Sequence, residues 1–236
     1  MKKLIYLLAI CGIVTACSTS QADKKEKCDQ ANAECCANKQ KVTMKKYTNE
    51  DFYVDGKLSP EKTLAAYKEM FEFYNYPCDQ WLLDHMFITD FGLGDFANCG
   101  MAGVFWVNDE EHGYFAHEIY LLPNQMIAEH QHVTTKNPAK FESWHVRHGI
   151  AFNFGEEGES ANAPATPASQ KDFITVSKYI KTNQGLITTL NRAEAPHFML
   201  GGPEGCIVSE YANFHDGAGL KFTNPNVAFT DILGNN

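Results

Sequence analysis

The chain reads as an all-β domain with one flanking helix on its N-terminal side, and three observations predict this. After Trp81, short segments rich in β-branched and aromatic residues follow one another: GMAGVFWVND, GYFAHEIYLLPNQ, MIAEHQHV, FESWHVRHGIAFNFGEE, SKYIKT, GLITTL and GCIVSEYANF. Turn residues punctuate them at Asn108-Asp109, Pro123-Asn124, Asn137-Pro138 and Gly155. Before Trp81 there is a single strong helix signal. Many short strands at this spacing suggest an antiparallel sandwich or barrel.

The N-terminal end sets the compartment. Met1–Lys3 is basic and Leu4–Val14 is almost unbroken apolar, too short to span a bilayer but suited to a signal peptide over residues 1–16. Val14-Thr15-Ala16-Cys17 resembles the lipobox of bacterial lipoproteins, in which the cysteine is lipidated and becomes the new N-terminus. Ser18, where Asp would favour retention at the inner membrane, points to a lipid-anchored protein of the bacterial cell envelope, at the outer membrane. The alternative is a secretory signal cut after Ala16, with Cys17 a spare thiol. Residues 17–46 then form a polar, Lys-rich tether that cannot bury a core, with Cys28, Cys35 and Cys36 in it. They form no zinc-type CxxC repeat.

Residues 47–236 are long enough for one domain with a real core. The formal charge is −9, and the signal and tether carry the positive end, so the domain is more acidic than the sum. With no basic stripe, nucleic acid is excluded as a partner. Ser59-Pro60 opens a helix as N-cap and first helical residue. Leu64, Tyr67, Met70, Phe71 and Tyr74 recur at helical spacing as core contacts, and Pro77 closes the element. Ser160–Ser169 is small, uncharged and Pro-containing, a surface loop between two strands.

Among the nine histidines, one pair is placed for chemistry. On a strand, alternate side chains share a face, so His130 and His132 point the same way and can share one metal ion. Glu142 lies on what should be the next strand, with the parity of Lys140 and Trp144. Pro196-His197-Phe198 precedes a Gly-rich turn and another strand, and a third imidazole from there could complete a site. Three His and one Glu form a borderline N/O set that suits Mn, Fe, Co, Ni or Zn, and the spacing does not choose among them.

This set matches the cupin motif, and the chain more closely resembles the D-lyxose isomerase family of cupin-like sugar isomerases. The matching stretches are ITDFGLGDF (88–96), EIYLLPNQ (118–125), EHQH (129–132), KFESWHVRHG (140–149), PHFMLGGPEG (196–205) and VSEYANFHDGAGLKFTNP (208–225). Lys221 stands where arginine is expected in that family, the Ser160–Ser169 insertion is unfamiliar, and family members are mostly cytoplasmic. The resemblance implies a cupin-type antiparallel β-barrel (double-stranded β-helix or jelly roll). It implies His130, His132, Glu142 and His197 as ligands of one divalent metal, manganese foremost. It also implies Lys140 and Glu210 as the catalytic pair of an aldose–ketose isomerase, with a monosaccharide as substrate and a homodimer as the assembly to test.

Other residues carry less. His215, Asp216 and Lys221 could bind sugar hydroxyls or lie in a solvated loop. His145 and Arg147 have the opposite parity to Glu142 and sit on the outer face or support the site from behind. His85, His112 and His117 have no partner pattern. Glu118 and Gln125 are candidates for the barrel mouth. Cys78, Cys99 and Cys206 read as buried thiols or one disulfide. The competing reading is a non-catalytic cupin lipoprotein that binds a sugar or a partner protein; a metallo-cupin dioxygenase is a third. The Lys140/Glu210 pair separates them, because a binding module has no need of both beside a metal.

Overall fold

The computed structural model describes residues 43–234. The expected signal peptide, Cys17 and the tether up to Val42, with Cys28, Cys35 and Cys36, lie outside the described residues. Thr43 to Lys46 has no regular structure, yet Met44 is buried and its N–H donates to the Glu204 carboxylate at 2.5 Å. Packing thus starts at Met44, ahead of Tyr47.

Helix α1 (Asn49–Phe52) starts on a capping box between Thr48 and Asp51. A tight turn through Asp55 and Gly56, both at positive φ, joins the two-residue strands β1 (Tyr53–Val54) and β2 (Lys57–Leu58). The predicted helix is α2 (Pro60–Tyr74), with Ser59 accepting from the Lys62 N–H and Pro60 at the first position. It ends earlier than Pro77 would require. Asn75 takes the left-handed conformation (φ 50°) and its N–H caps the last turn, a role open to Asn because its short polar side chain tolerates that region. Its buried face carries Tyr67, Met70 and Phe71, and the Tyr67 hydroxyl donates to Gln125 Oε1 at 2.9 Å. A short helix missed by sequence, α3 (Gln80–His85), is capped by Asp79.

The rest is β-structure, as expected. Strands β3 (Phe87–Thr89), β4 (Met101–Asp109), β5 (Tyr114–Leu121), β10 (Phe198–Ala212), β7 (Glu142–Gly155) and β8 (Lys178–Asn183) pair antiparallel in that order. Strand β9 (Ile187–Thr189) also pairs with β7. A second sheet of two strands pairs β6 (His130–His132) with β11 (Leu220–Phe222). Among the described residues the hydrogen-bonded ladders form open sheets; no pairing joins β3 to β8. The Ser160–Ser169 segment is irregular and leads into a 3-10 turn over Ala168–Phe173.

Alternation along the central strands divides the core. Tyr120 of β5 and Ile207 of β10 face the helices and pack with Phe52, Tyr67 and Phe71. Their neighbours Ile119 and Val208 face the other way and pack with Phe87, Phe91 and Trp144. The functional side chains sit on this second face.

No disulfide links the cysteines of the domain. Cys99 and Cys206 are buried free thiols, whereas Cys78 is exposed, a correction to its reading as buried. Burial pushes the Cys206 thiol up to about 12 and raises Cys99 as well. Thiol reagents act on the thiolate. At pH 8, mass-spectrometric mapping of the native protein should therefore find Cys78 alkylated and Cys99 and Cys206 labelled only after unfolding. Equal labelling of all three would contradict this packing.

Candidate active site

Strand β6 is held from both sides. Phe222, Lys221 and Leu220 of β11 pair with His130, Gln131 and His132. On the other side His130 and His197 exchange backbone hydrogen bonds of 3.0 and 2.9 Å. The preceding Glu129 is buried and accepts from the Thr175 and Val176 N–H groups and from the Thr175 and Thr223 hydroxyls, which fixes the approach to β6. Alternation turns His130 and His132 to one face, and the bridge sets His197 beside them, its ring centroid 4.4 Å from that of His130. Glu142, the first residue of β7, completes the group. Its Oε1 lies 3.0 Å from His132 Nε2 and its Oε2 2.9 Å from His197 Nε2.

One ligand atom from each of these four residues lies within 4.8 Å of the others. The Nδ1 atoms of His130 and His197 each face a backbone carbonyl, of Ala128 and Ala195, at 2.9 Å. A carbonyl only accepts, so Nδ1 carries the proton and the Nε2 lone pair is free. The Nε2 atoms of His132 and His197 are buried and make no hydrogen bond, although the carboxylate is so near. Buried polar nitrogens are seldom left without a partner. Three imidazole nitrogens and one carboxylate in this arrangement fit a divalent cation.

Lys140 lies in the segment leading into β7, not on the strand itself. Its ammonium is 2.6 Å from Glu142 Oε1, hydrogen-bonds Glu210 Oε1, and sits 4.3 Å above the Phe115 ring. Glu210 is on β10, flanked by His117 of β5 and Trp144 of β7. All three charged groups are buried. Burial would lower the Lys140 ammonium, but the two carboxylates outweigh it and hold it above its ordinary range. Burial would raise Glu210, and the Lys140 charge reverses that, so Glu210 is held below the usual carboxylate range. The group is therefore ionised at neutral pH.

His117 was missed in the sequence. Its Nδ1 lies 3.6 Å from Glu210 Oε2, and its Nε2 is buried without a hydrogen bond. Phe87, Phe105 and Phe115 surround the ring at centroid distances of 5.6, 4.8 and 5.7 Å. Gly103 on β4 makes the space: a Cβ there would come within 2.3 Å of His117 Nε2.

A cavity of about 250 Å³ opens over these groups. His215 lines it, its ring stacked on Phe115, and burial followed by the Lys140 charge pushes its imidazole down to about 3. Asp216 and Lys221 do not line it. Asp216 instead ties loops together, accepting from Thr135, Asn137 and the Ala218 N–H. Lys221 has the opposite parity to Leu220 and Phe222, which line the cavity, and is exposed. His145 and Arg147 face outward as predicted. Glu118 and Gln125 are not at a mouth. Glu118 accepts from Trp106 Nε1 and Ser209, and Gln125 holds Tyr67 and the Phe96 carbonyl. His85 stacks on Trp81 and His112 contacts Asp109, both away from the cavity.

No protein-family model matches the chain. The D-lyxose/D-mannose isomerase of Thermosediminibacter oceani is 33% identical over 143 residues, which cover 59% of this chain and 77% of that protein. The D-lyxose ketol-isomerase of Cohnella laeviribosi is 34% identical over 154 residues, covering 64% of this chain and 82% of that one. The chain belongs to the D-lyxose isomerase family. Among solved structures, this member of the D-lyxose isomerase family is similar to the L-ribose isomerase of Cellulomonas parahominis, with a TM-score of 0.54 at 14% identity. That match covers 70% of this chain and 91% of the other. The L-ribose isomerase of Acinetobacter sp. DL28 gives 0.53 at 11% identity, covering 71% and 92%. At such identities the shared property is the fold. The reaction class of the D-lyxose isomerase family is intramolecular oxidoreduction, the interconversion of an aldose and a ketose.

Proposed function

We propose that the chain is a metal-dependent aldose–ketose isomerase acting on sugars of the D-lyxose/D-xylulose or D-mannose/D-fructose type, by proton transfer between adjacent carbons. The observation that carries this is the Lys140 ammonium held between Glu142 and Glu210, beside a His₃Glu cluster in which the buried Nε2 atoms of His132 and His197 make no hydrogen bond. The family membership and the names of the relatives support the substrate type. The supporting fold reading is a cupin-type double-stranded β-helix whose inner face holds the site.

His130, His132, Glu142 and His197 would hold the cation, manganese foremost. When bound, a divalent ion supplies Lewis acidity to the oxygens of the hydroxy-carbonyl pair. Glu210, ionised and buried, removes the proton from the carbon next to the carbonyl and returns it to the neighbouring carbon. Lys140 donates to the oxygen on which charge grows and takes the proton back from its neighbour. Lys140 holds Glu210 Oε1 by a hydrogen bond while His117 Nδ1 lies 3.6 Å from Oε2, so the carboxylate is flanked on both oxygens. The Phe115 ring supports the ammonium from the far side. The test is to strip the protein of metal, reload it with each divalent ion, and follow D-lyxose and D-mannose to their ketoses. Turnover restored by metal supports the proposal; equal turnover after exhaustive chelation contradicts metal dependence.

We also propose that this isomerase is exported and anchored by lipid at Cys17, a reading supported by the basic, apolar and lipobox sequence of residues 1–17. Cys17→Ala should abolish lipid labelling and leave precursor or soluble protein. Undiminished labelling of that variant would place the anchor elsewhere.

A further inference from the structure

The walls of the cavity differ in polarity from floor to rim. The floor holds the His₃Glu cluster, Lys140, Glu210 and His117 in one continuous patch. Accepting the isomerase reading, on which this inference rests, the carbonyl and its neighbouring carbon must sit there. The rest of the sugar chain then has to run toward the rim. Apart from His130, which belongs to the floor cluster, the partly exposed and exposed lining residues mark that rim: Phe105, His215, Gly217, Leu220, Phe222 and Phe229. Only His215 among them has a polar side-chain atom, and its buried Nδ1 has no hydrogen-bond partner. The deeper wall beside the floor is no better supplied, since Phe87, Phe91, Met101, Phe115, Ile119 and Ile127 are its buried members.

A sugar hydroxyl desolvated against such a wall loses its water without gaining a partner. One hydroxyl beyond the reacting carbons can bond His215. The terminal one meets phenylalanine and leucine. We propose that the site takes an aldose of this configuration whose carbon chain ends in a methyl group, a terminally deoxygenated sugar, in preference to the fully hydroxylated one.

The metal-loaded full-length protein decides this by kcat/KM on matched pairs: 5-deoxy-D-lyxose against D-lyxose, and 6-deoxy-D-mannose against D-mannose. An apolar pocket discriminates against one extra hydroxyl by about 10–100-fold, so ratios of that order in favour of the deoxy sugars are expected. Ratios of one or below overturn the inference and leave the isomerase reading intact. No turnover of any of these sugars with any metal overturns the isomerase reading itself. Phe229→Gln and Gly217→Ser place a polar group on the rim with little risk to folding. Phe229 is 44% exposed, and a Cβ at Gly217 meets nothing within 4 Å. Either variant should narrow the ratios; unchanged ratios in both would show that the rim does not set the preference.

Discussion

Glu210→Gln should reduce kcat by about 100–10,000-fold, the contribution typical of a positioned general base, while bound metal stays at the wild-type level. The amide keeps the shape of the carboxylate and can still meet His117, but it cannot take a carbon-bound proton. That loss amounts to about 3–5 kcal/mol in the barrier. The variant is a cleaner test than any change at Lys140. Once Glu210 is neutral, Lys140 still has Glu142 at 2.6 Å, so no buried charge is stranded. Lys140→Met should lose turnover as well, yet it leaves the buried Glu210 carboxylate without its counter-charge. Breaking a buried pair in this way costs about 3–5 kcal/mol of stability, so a lowered melting temperature should accompany the lost activity. Wild-type turnover in Glu210→Gln would remove that residue from the mechanism.

Replacing His132 or His197 by Ala should lower divalent metal well below one ion per chain. Each of these residues offers one of only four converging ligand atoms. Losing a partner that merely supports a ligand typically weakens metal binding about 10–100-fold, and losing the ligand itself should exceed this. Metal analysis of dialysed protein reads the effect directly. His117→Gln is the control: it sits in the same cavity but outside the ligand group, and should keep its metal. Full metal content in both His132→Ala and His197→Ala would contradict the proposed ligand set.

Much of this site was legible because strand alternation is a strict rule. It placed His130 and His132 on one face and sent His145 and Arg147 to the other. His197 was a candidate from its place before a strand and from the resemblance, but what sets it beside His130 is a backbone bridge, a long-range pairing that local pattern does not encode. Lys140 was assigned the parity of a strand that begins only at Glu142; its reach comes from a long side chain, which is less bound by parity. His117 escaped notice because β5 is buried on both faces. Phe115, His117 and Ile119 alternate with Ala116, Glu118 and Tyr120, so no polar–apolar alternation marks the inner side. The same ambiguity made Glu118 look like a cavity residue. Short elements such as β3, β11 and α3 gave too few residues for a period, and Asp216 and Lys221 were singled out by their place after the last long strand, where local pattern does not tell which side chains turn to the cavity.

Isomerisation in D2O tests the central claim, proton transfer through Glu210, most directly. Wild-type protein loaded with manganese and incubated with D-lyxose should yield a ketose carrying solvent deuterium at C1, detected by NMR or mass spectrometry. A carboxylate that lifts a carbon-bound proton exchanges it with solvent in part before returning it. The account predicts deuterium in the product and neither product nor exchange in Glu210→Gln. Efficient conversion with no deuterium at any time point, retained in Glu210→Gln, would mean that hydrogen passes between the carbons without touching Glu210, and would contradict the account.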